Sequence, residues 1–329
     1  MEKMNSTSKN EAPNLPKGQK ITGKWNRNSY TVIRPLGRGA TGAVFLVEQN
    51  QQYFALKVGH SSMSITSEVN VLKHFEKVQG QILGPSFVDA DDLFVYGERF
   101  PFYVMEYLQG TTVFKHVERH GKEWAPVLIV QLLGDLSRLH RAGWVFGDLK
   151  PDNLIVTGPP FRIRWLDVGG TTIKGRAVKE YTEFFDRGYW GMGDRKADEQ
   201  YDLFSAGMVF IHLISRQRFE RDKDGWQTIS KHIEQHARLR PYRQWLKRAL
   251  TGYYTNADDM RVALMEMIQT AESMESKNTS PPKKKAKKPV ATNTRRPKKT
   301  VPMVGIVDVI LVISFLIITS ILYLVGQLI

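Results

Sequence analysis

The 329-residue chain has no cysteine. That excludes a disulfide framework, a thiolate zinc site and a cysteine nucleophile. Acidic residues are missing from residues 277–300, where ten lysines and arginines stand. Aromatic residues are missing there as well, which argues against base stacking as a recognition mode. No apolar stretch follows Met1, so no signal peptide is expected.

What is present is unevenly spread. Lysine and arginine number 47 against 33 aspartates and glutamates, a net charge of +14. Residues 1–28 carry +4 and the stretch from 277 onward carries +9, so the middle is nearly neutral. At 42% hydrophobic and 24% charged, the chain is too apolar to be wholly disordered. The middle, about 250 residues, can bury the core of one large domain or of two lobes.

Val309 to Gly326 reads VILVISFLIITSILYLVG without a charge, and Asp308 is the one charged side chain between Val304 and Ile329. A membrane helix needs about 20 apolar residues. A buried core helix of that length would keep some polar face. A transmembrane helix is therefore expected over 303–329, and the basic residues before it predict that everything upstream stays cytoplasmic. The expected layout is a tail-anchored membrane protein. Residues 273–302, with Pro281, Pro282, Pro289 and Pro297 among like charges, read as a disordered basic linker. Residues 1–25 read as a disordered basic arm.

The globular stretch is then 26–272. Strand patterns at Tyr30–Leu36, Ala43–Glu48, Tyr53–Val58, Leu93–Tyr96 and Phe102–Met105 fill residues 26–106. From 107 to 272 helical periodicity dominates, as in Val127, Val130, Leu132, Leu133, Leu136 and Leu139. The expected fold class is α+β, a β-rich lobe and a helical lobe with a cleft between them.

The segment LGRGATGAVFLV places Gly37, Gly39 and Gly42 in a G-x-G-x-x-G-x-V pattern. Glycines let backbone amides approach phosphate oxygens, although a tight hairpin turn needs them equally. The pattern sits between two strands, which argues against a dinucleotide-binding turn that opens a helix. The residues downstream of it are more specific. Lys57 stands in a strand, Glu68 on a helix, and Asp148, Lys150 and Asn153 on a loop stiffened by Pro151. Asp167 stands in WLDVGG and Asp202 at the start of an apolar helix. Each alone is an ordinary solvated charge; their order and spacing together are not ordinary.

In these motifs the sequence resembles the eukaryotic-like (Hanks-type) serine/threonine protein kinases of bacteria, over about residues 26–270. The resemblance implies a two-lobed protein-kinase fold that uses ATP and Mg2+ to phosphorylate protein hydroxyls. It implies that Gly37, Gly39 and Gly42 cover the phosphates and that Lys57 contacts them while paired with Glu68. Asp148 would accept the substrate proton and Lys150 would contact the γ-phosphate. Asn153 and Asp167 would hold the metal. Val44, Ala55 and Ile155 would sandwich adenine, with Met105 behind it and the backbone of Glu106 and Leu108 bonding its edge. The Lys57 to Glu68 separation is short for the family, and Leu72, four residues on, fits the inner face of the same helix.

Three departures carry expectations of their own. The family's His-Arg-Asp is Phe146-Gly147-Asp148 here, and the missing arginine is the group that an activation-loop phosphate normally neutralises. Activity is therefore expected not to depend strictly on loop phosphorylation, with Thr171, Thr172 and Thr182 as candidate autophosphorylation sites. Asp-Phe-Gly is Asp167-Val168-Gly169, and Phe146, Val168 and Leu72 are expected in one apolar column. Ala-Pro-Glu is replaced by GYWGMGDR, and its usual arginine partner is also lacking near TGYYTNADDM, so no buried charge is left unpaired.

Two other readings stand beside an active protein kinase: a pseudokinase scaffold and a small-molecule kinase. The retained metal ligands weigh against the first, and Lys150-Pro151 with the Asp202 helix against the second. For the linker, contact with anionic lipid competes with polyanion binding, most plausibly of DNA. The residues concerned are Lys283, Lys284, Lys285, Lys287, Lys288, Arg295, Arg296, Lys298 and Lys299. Protein substrates, the membrane, DNA and a second copy of the chain for autophosphorylation are the expected partners.

Overall fold

The first lobe is a sheet made of hairpins. Strands β1 (Lys20–Thr22), β2 (Ser29–Gly39), β3 (Gly42–Gln49) and β4 (Gln52–Gly59) pair antiparallel in succession. Helix α1 (Ser62–Phe75) comes next, and β5 (Phe87–Val95) and β6 (Glu98–Glu106) complete the sheet in the order β1-β2-β3-β4-β6-β5. The computed structural model describes residues 12–39, 41–76, 83–95 and 97–278. Helix α1 starts where the Ser61 hydroxyl accepts the Ser64 amide. It buries Ile65, Glu68, Val69, Leu72 and Phe75, a helical stripe.

A short strand β7 (Thr111–Thr112) leads into the helical lobe, with α2 (Val113–His120) and α3 (Trp124–Arg141). The chain then makes β8 (Trp144–Val145), β9 (Leu154–Thr157), β10 (Arg162–Trp165) and β11 (Thr172–Ile173). Helix α4 (Glu199–Ser215) is the centre of this lobe: every residue from Tyr201 to Ile214 is buried. Around it lie α5 (Gly225–Gln235), α6 (Arg243–Leu250) and α7 (Ala257–Asn278). A helix apolar on all sides belongs in the middle of a domain. The β8–β9 turn, with Asp148 to Asn153, hangs from it through the buried Asp202 carboxylate, which accepts the Phe146 amide at 2.8 Å and the Gly147 amide at 2.9 Å.

Two expected boundaries are corrected. The amino-terminal arm does not extend to residue 25. Ala12 and Leu15 are buried in the sheet's core, and β1 pairs with β2. The segment is held because its polar backbone has partners: Trp25 and Asn26 donate their amides to Asp91 at 2.7–3.0 Å, and Arg38 reaches the Ala12 carbonyl at 2.7 Å. The linker begins later than residue 273, because α7 continues to Asn278. The remaining linker, its nine basic residues and the expected membrane span at 303–329 lie outside the described residues. Among the described residues no helix is long and apolar enough to cross a membrane.

Candidate active site

A cleft of about 670 Å³ opens between the lobes. Its roof is the β2–β3 hairpin, with Gly37, Gly39, Gly42 and Val44; its back is β4, with Ala55 and Lys57. Leu108 and Ile155 line it farther along, and Asn153 and Asp167 line its inner end. Ten of the expected nucleotide and metal residues therefore meet there. Glu106 lines it as well, and Met105 is buried behind it, opposite Ala55 in the β4–β6 register.

The three glycines serve different ends. Nothing lies within 4 Å of a Cβ built on Gly37 or Gly39, so both face open space over the cleft. A Cβ on Gly42 would stand 2.2 Å from the Val58 carbonyl. That glycine is required by the close approach of β4, and the sequence pattern alone does not separate the two roles.

Behind the roof, Lys57 Nζ lies 2.7 Å from Glu68 Oε2 and 3.6 Å from Asp167 Oδ2. The 11-residue separation is thus long enough to close the pair. Burial pulls the Lys57 ammonium down, but Asp167 and Glu68 outweigh it and the net direction is up. Lys57 stays charged. Tyr103 was not found from the sequence: its buried hydroxyl donates to Glu68 Oε2 at 2.8 Å. A tyrosine in a strand carries no signal of that contact.

On the loop below, Lys150 Nζ donates to Asp148 Oδ2 at 2.6 Å. The Asn153 amide nitrogen donates to the Asp148 carbonyl at 2.8 Å and to Oδ2 at 3.1 Å. Those bonds leave the Asn153 carbonyl oxygen for a cation. The Asp167 side chain is 47% exposed, and Oδ1 accepts the Gly169 amide at 2.8 Å. One carboxylate and one amide oxygen, facing a space that would hold phosphates, fit Mg2+, which takes few protein ligands and several phosphate or water oxygens. Burial and the carboxylates of Asp167 and Asp148 push Glu180 up, placing a further acid near this end of the cleft.

The three residues of the expected apolar column are all buried: Leu72, Phe146 and Val168 are at most 2% exposed and belong to the main hydrophobic core. Phe146 packs on Trp165 with ring centroids 4.9 Å apart. The candidate threonines divide. Thr171 and Thr172 are buried at 0% and 2% exposure, so this conformation does not offer them for phosphorylation. The Thr182 hydroxyl accepts from Lys150 at 3.4 Å, beside Asp148.

Where Ala-Pro-Glu was lacking, Trp190 is buried against Phe184 and Phe219. Nearby, the fully buried Asp186 accepts from Arg195 at 2.7 Å, from Tyr201 at 3.0 Å and from two backbone amides. Arg187 bridges Asp194 and Asp198. These pairs were not legible, since each joins residues that look like surface charges.

Residues 30–280 match the family described as protein kinase domain. Serine/threonine-protein kinase YabT of Bacillus subtilis is 49% identical over 270 residues, 82% of this chain and 80% of that protein. Aurora kinase A-A of Xenopus laevis is 25% identical over 249 residues, 70% of this chain and 59% of that protein. Serine/threonine-protein kinase ArnS of Sulfolobus acidocaldarius is 29% identical over 259 residues, 63% of this chain and 39% of that protein.

Proposed function

The chain belongs to the protein kinase family, whose members use ATP and Mg2+, and from that premise we propose that it is an active, membrane-anchored kinase of protein serine and threonine hydroxyls. The observation that carries activity is the closed Lys57–Glu68 pair, 2.7 Å, with Asp167 3.6 Å from the same ammonium. A scaffold has no need of that arrangement.

In the proposed reaction Asp148 orients the substrate hydroxyl and takes its proton as the oxygen attacks the γ-phosphorus, while the bond from that phosphorus to the β,γ-bridging oxygen breaks and ADP leaves. Oδ2 is committed to Lys150 and Asn153, which leaves Oδ1 as the acceptor. Lys150 offsets charge on the transferred group, and Lys57 orients the α- and β-phosphates. Gly37 and Gly39 leave the roof open to the phosphates, while Val44, Ala55 and Ile155 hold the adenine. Mg2+ would be held by Asn153 and Asp167 and supplies charge neutralisation at the phosphates. Incubation with labelled ATP and a generic protein substrate tests this. Wild type should label the substrate and Asp148→Asn should not; equal labelling overturns the assignment.

The basic linker is proposed to bind DNA, tying activity to a polyanion at the membrane's cytoplasmic face. Ten basic residues without an acidic one support sequence-independent, salt-sensitive binding. Clustering of several chains on one polyanion would favour phosphorylation between copies. Deleting 277–300 should weaken DNA binding and remove any DNA effect on activity. Unchanged binding and activity would sink the idea.

A further inference from the structure

Between Asp167 and Asp198 the chain is held by its own backbone pairs. Gly175 donates its amide to Ala197 at 2.7 Å, Ala197 returns one to Arg176 at 2.7 Å, and Val178 donates to Arg195 at 2.9 Å. Gly147 has φ +80, and a Cβ there would lie 2.8 Å from the Gly170 carbonyl and 3.7 Å from Val178. An arginine at 147 would therefore be strained by its backbone and blocked by its neighbour. At this point of the segment glycine faces valine, and position 147 supplies no cation.

The cation comes from the segment itself. Lys179, next to Val178, donates to the Thr171 carbonyl at 2.9 Å and to the Ser67 hydroxyl at 3.2 Å. Ser67 directly precedes Glu68 on α1. One ammonium thus joins three parts: the pinned stretch at 178, the chain four residues beyond Asp167, and the helix that carries the partner of Lys57. We propose that Lys179 is a positioning residue, a built-in tie that sets α1 and so holds Glu68 against Lys57 without phosphorylation of the segment. This rests on the kinase reading above. A lysine suits the task because its ammonium has three donors and no preferred plane, so it can serve a carbonyl and a hydroxyl on different elements.

The test uses the full-length chain in detergent. Lys179→Ala should lower kcat/KM for ATP about tenfold, the usual size of one charge-assisted contact. Lys179→Arg should recover most of it, and the melting temperature should stay within a few degrees. In a Glu68→Gln background, Lys179→Ala should add less than about twofold, because the two act through one arrangement. An unchanged kcat/KM for Lys179→Ala, or losses that multiply in the double variant, would overturn the proposal. Hydrogen exchange at residues 65–75 gives a readout independent of transfer. Faster exchange in Lys179→Ala supports the tie even if no substrate is phosphorylated, and unchanged exchange refutes it. Loss of transfer in wild type itself would instead strike the kinase reading.

Discussion

The nucleotide side of the cleft and the segment from Thr171 to Asp198 are built on different terms. On the nucleotide side the chemistry names the residues. Phosphates and a metal demand open backbone, a cation and oxygen donors, and Gly37, Lys57, Asn153 and Asp167, which line one cleft, are residues of those kinds. The segment only has to stay in place, and many contacts can hold it. Here Asp186 with Arg195 and Tyr201, Arg187 with Asp198, and Trp190 between Phe184 and Phe219 do so. Reaction chemistry restricts residue identity far more tightly than anchoring does.

The largest expected break falls on the chemistry itself. Asp148→Asn should cost about a thousandfold in kcat, within the range for a general base, while nucleotide affinity holds. Single-turnover transfer beside equilibrium nucleotide binding separates the two. Next, Glu68→Gln should lower kcat/KM for ATP by about ten- to a hundredfold by loosening Lys57, since small misplacements in a closed site are expensive. The Michaelis constant for a protein substrate should barely move.

On the other side the pattern should invert. Asp186→Asn removes the charge that Arg195 pairs with, and its carboxylate is fully buried. Arg195 is 44% exposed and stays hydrated when unpaired, so the change should cost about 1–2 kcal/mol, the size of the charge-assisted hydrogen bonds lost. Chemical denaturation should register that loss, and protein-substrate affinity should suffer more than ATP affinity. If ATP affinity fell first, the two regions would not be separable in this way.

The smallest effect concerns pH. His212 packs on Phe184 and Phe185 of the segment, and burial, with Arg218 nearby, pulls its pKa down to about 4. The folded protein then binds fewer protons than the unfolded chain between that value and the ordinary histidine range. The stabilisation is complete above about pH 6.5 and is lost as pH falls towards 4. Wild type should lose melting temperature relative to His212→Leu as pH falls over that interval.

The same contrast explains what the sequence revealed. The two lobes, the strands from β2 to β4 and the residues facing the cleft could be read from periodicity and motif order. Strand β5 was read as beginning at Leu93 but begins at Phe87. Its aspartates disfavour a strand, and they are accommodated because Asp89 and Asp91 accept from Asn26, Asn28, Tyr30 and Trp25. Those donors lie some sixty residues away in the chain. The ordered stretch from Ala12 was missed for the same reason: two short apolar residues among prolines have no period to detect. Tyr103, Asp186 and Lys179 depend likewise on partners that folding alone brings near.

The most direct test is the time course of substrate phosphorylation by enzyme kept free of phosphate by co-expression with a phosphatase. A segment held by Lys179 and its own backbone pairs should give a linear course from the first turnover, independent of enzyme concentration. A lag that lengthens on dilution and vanishes after preincubation with ATP would show that the segment must first be phosphorylated, and would contradict the account.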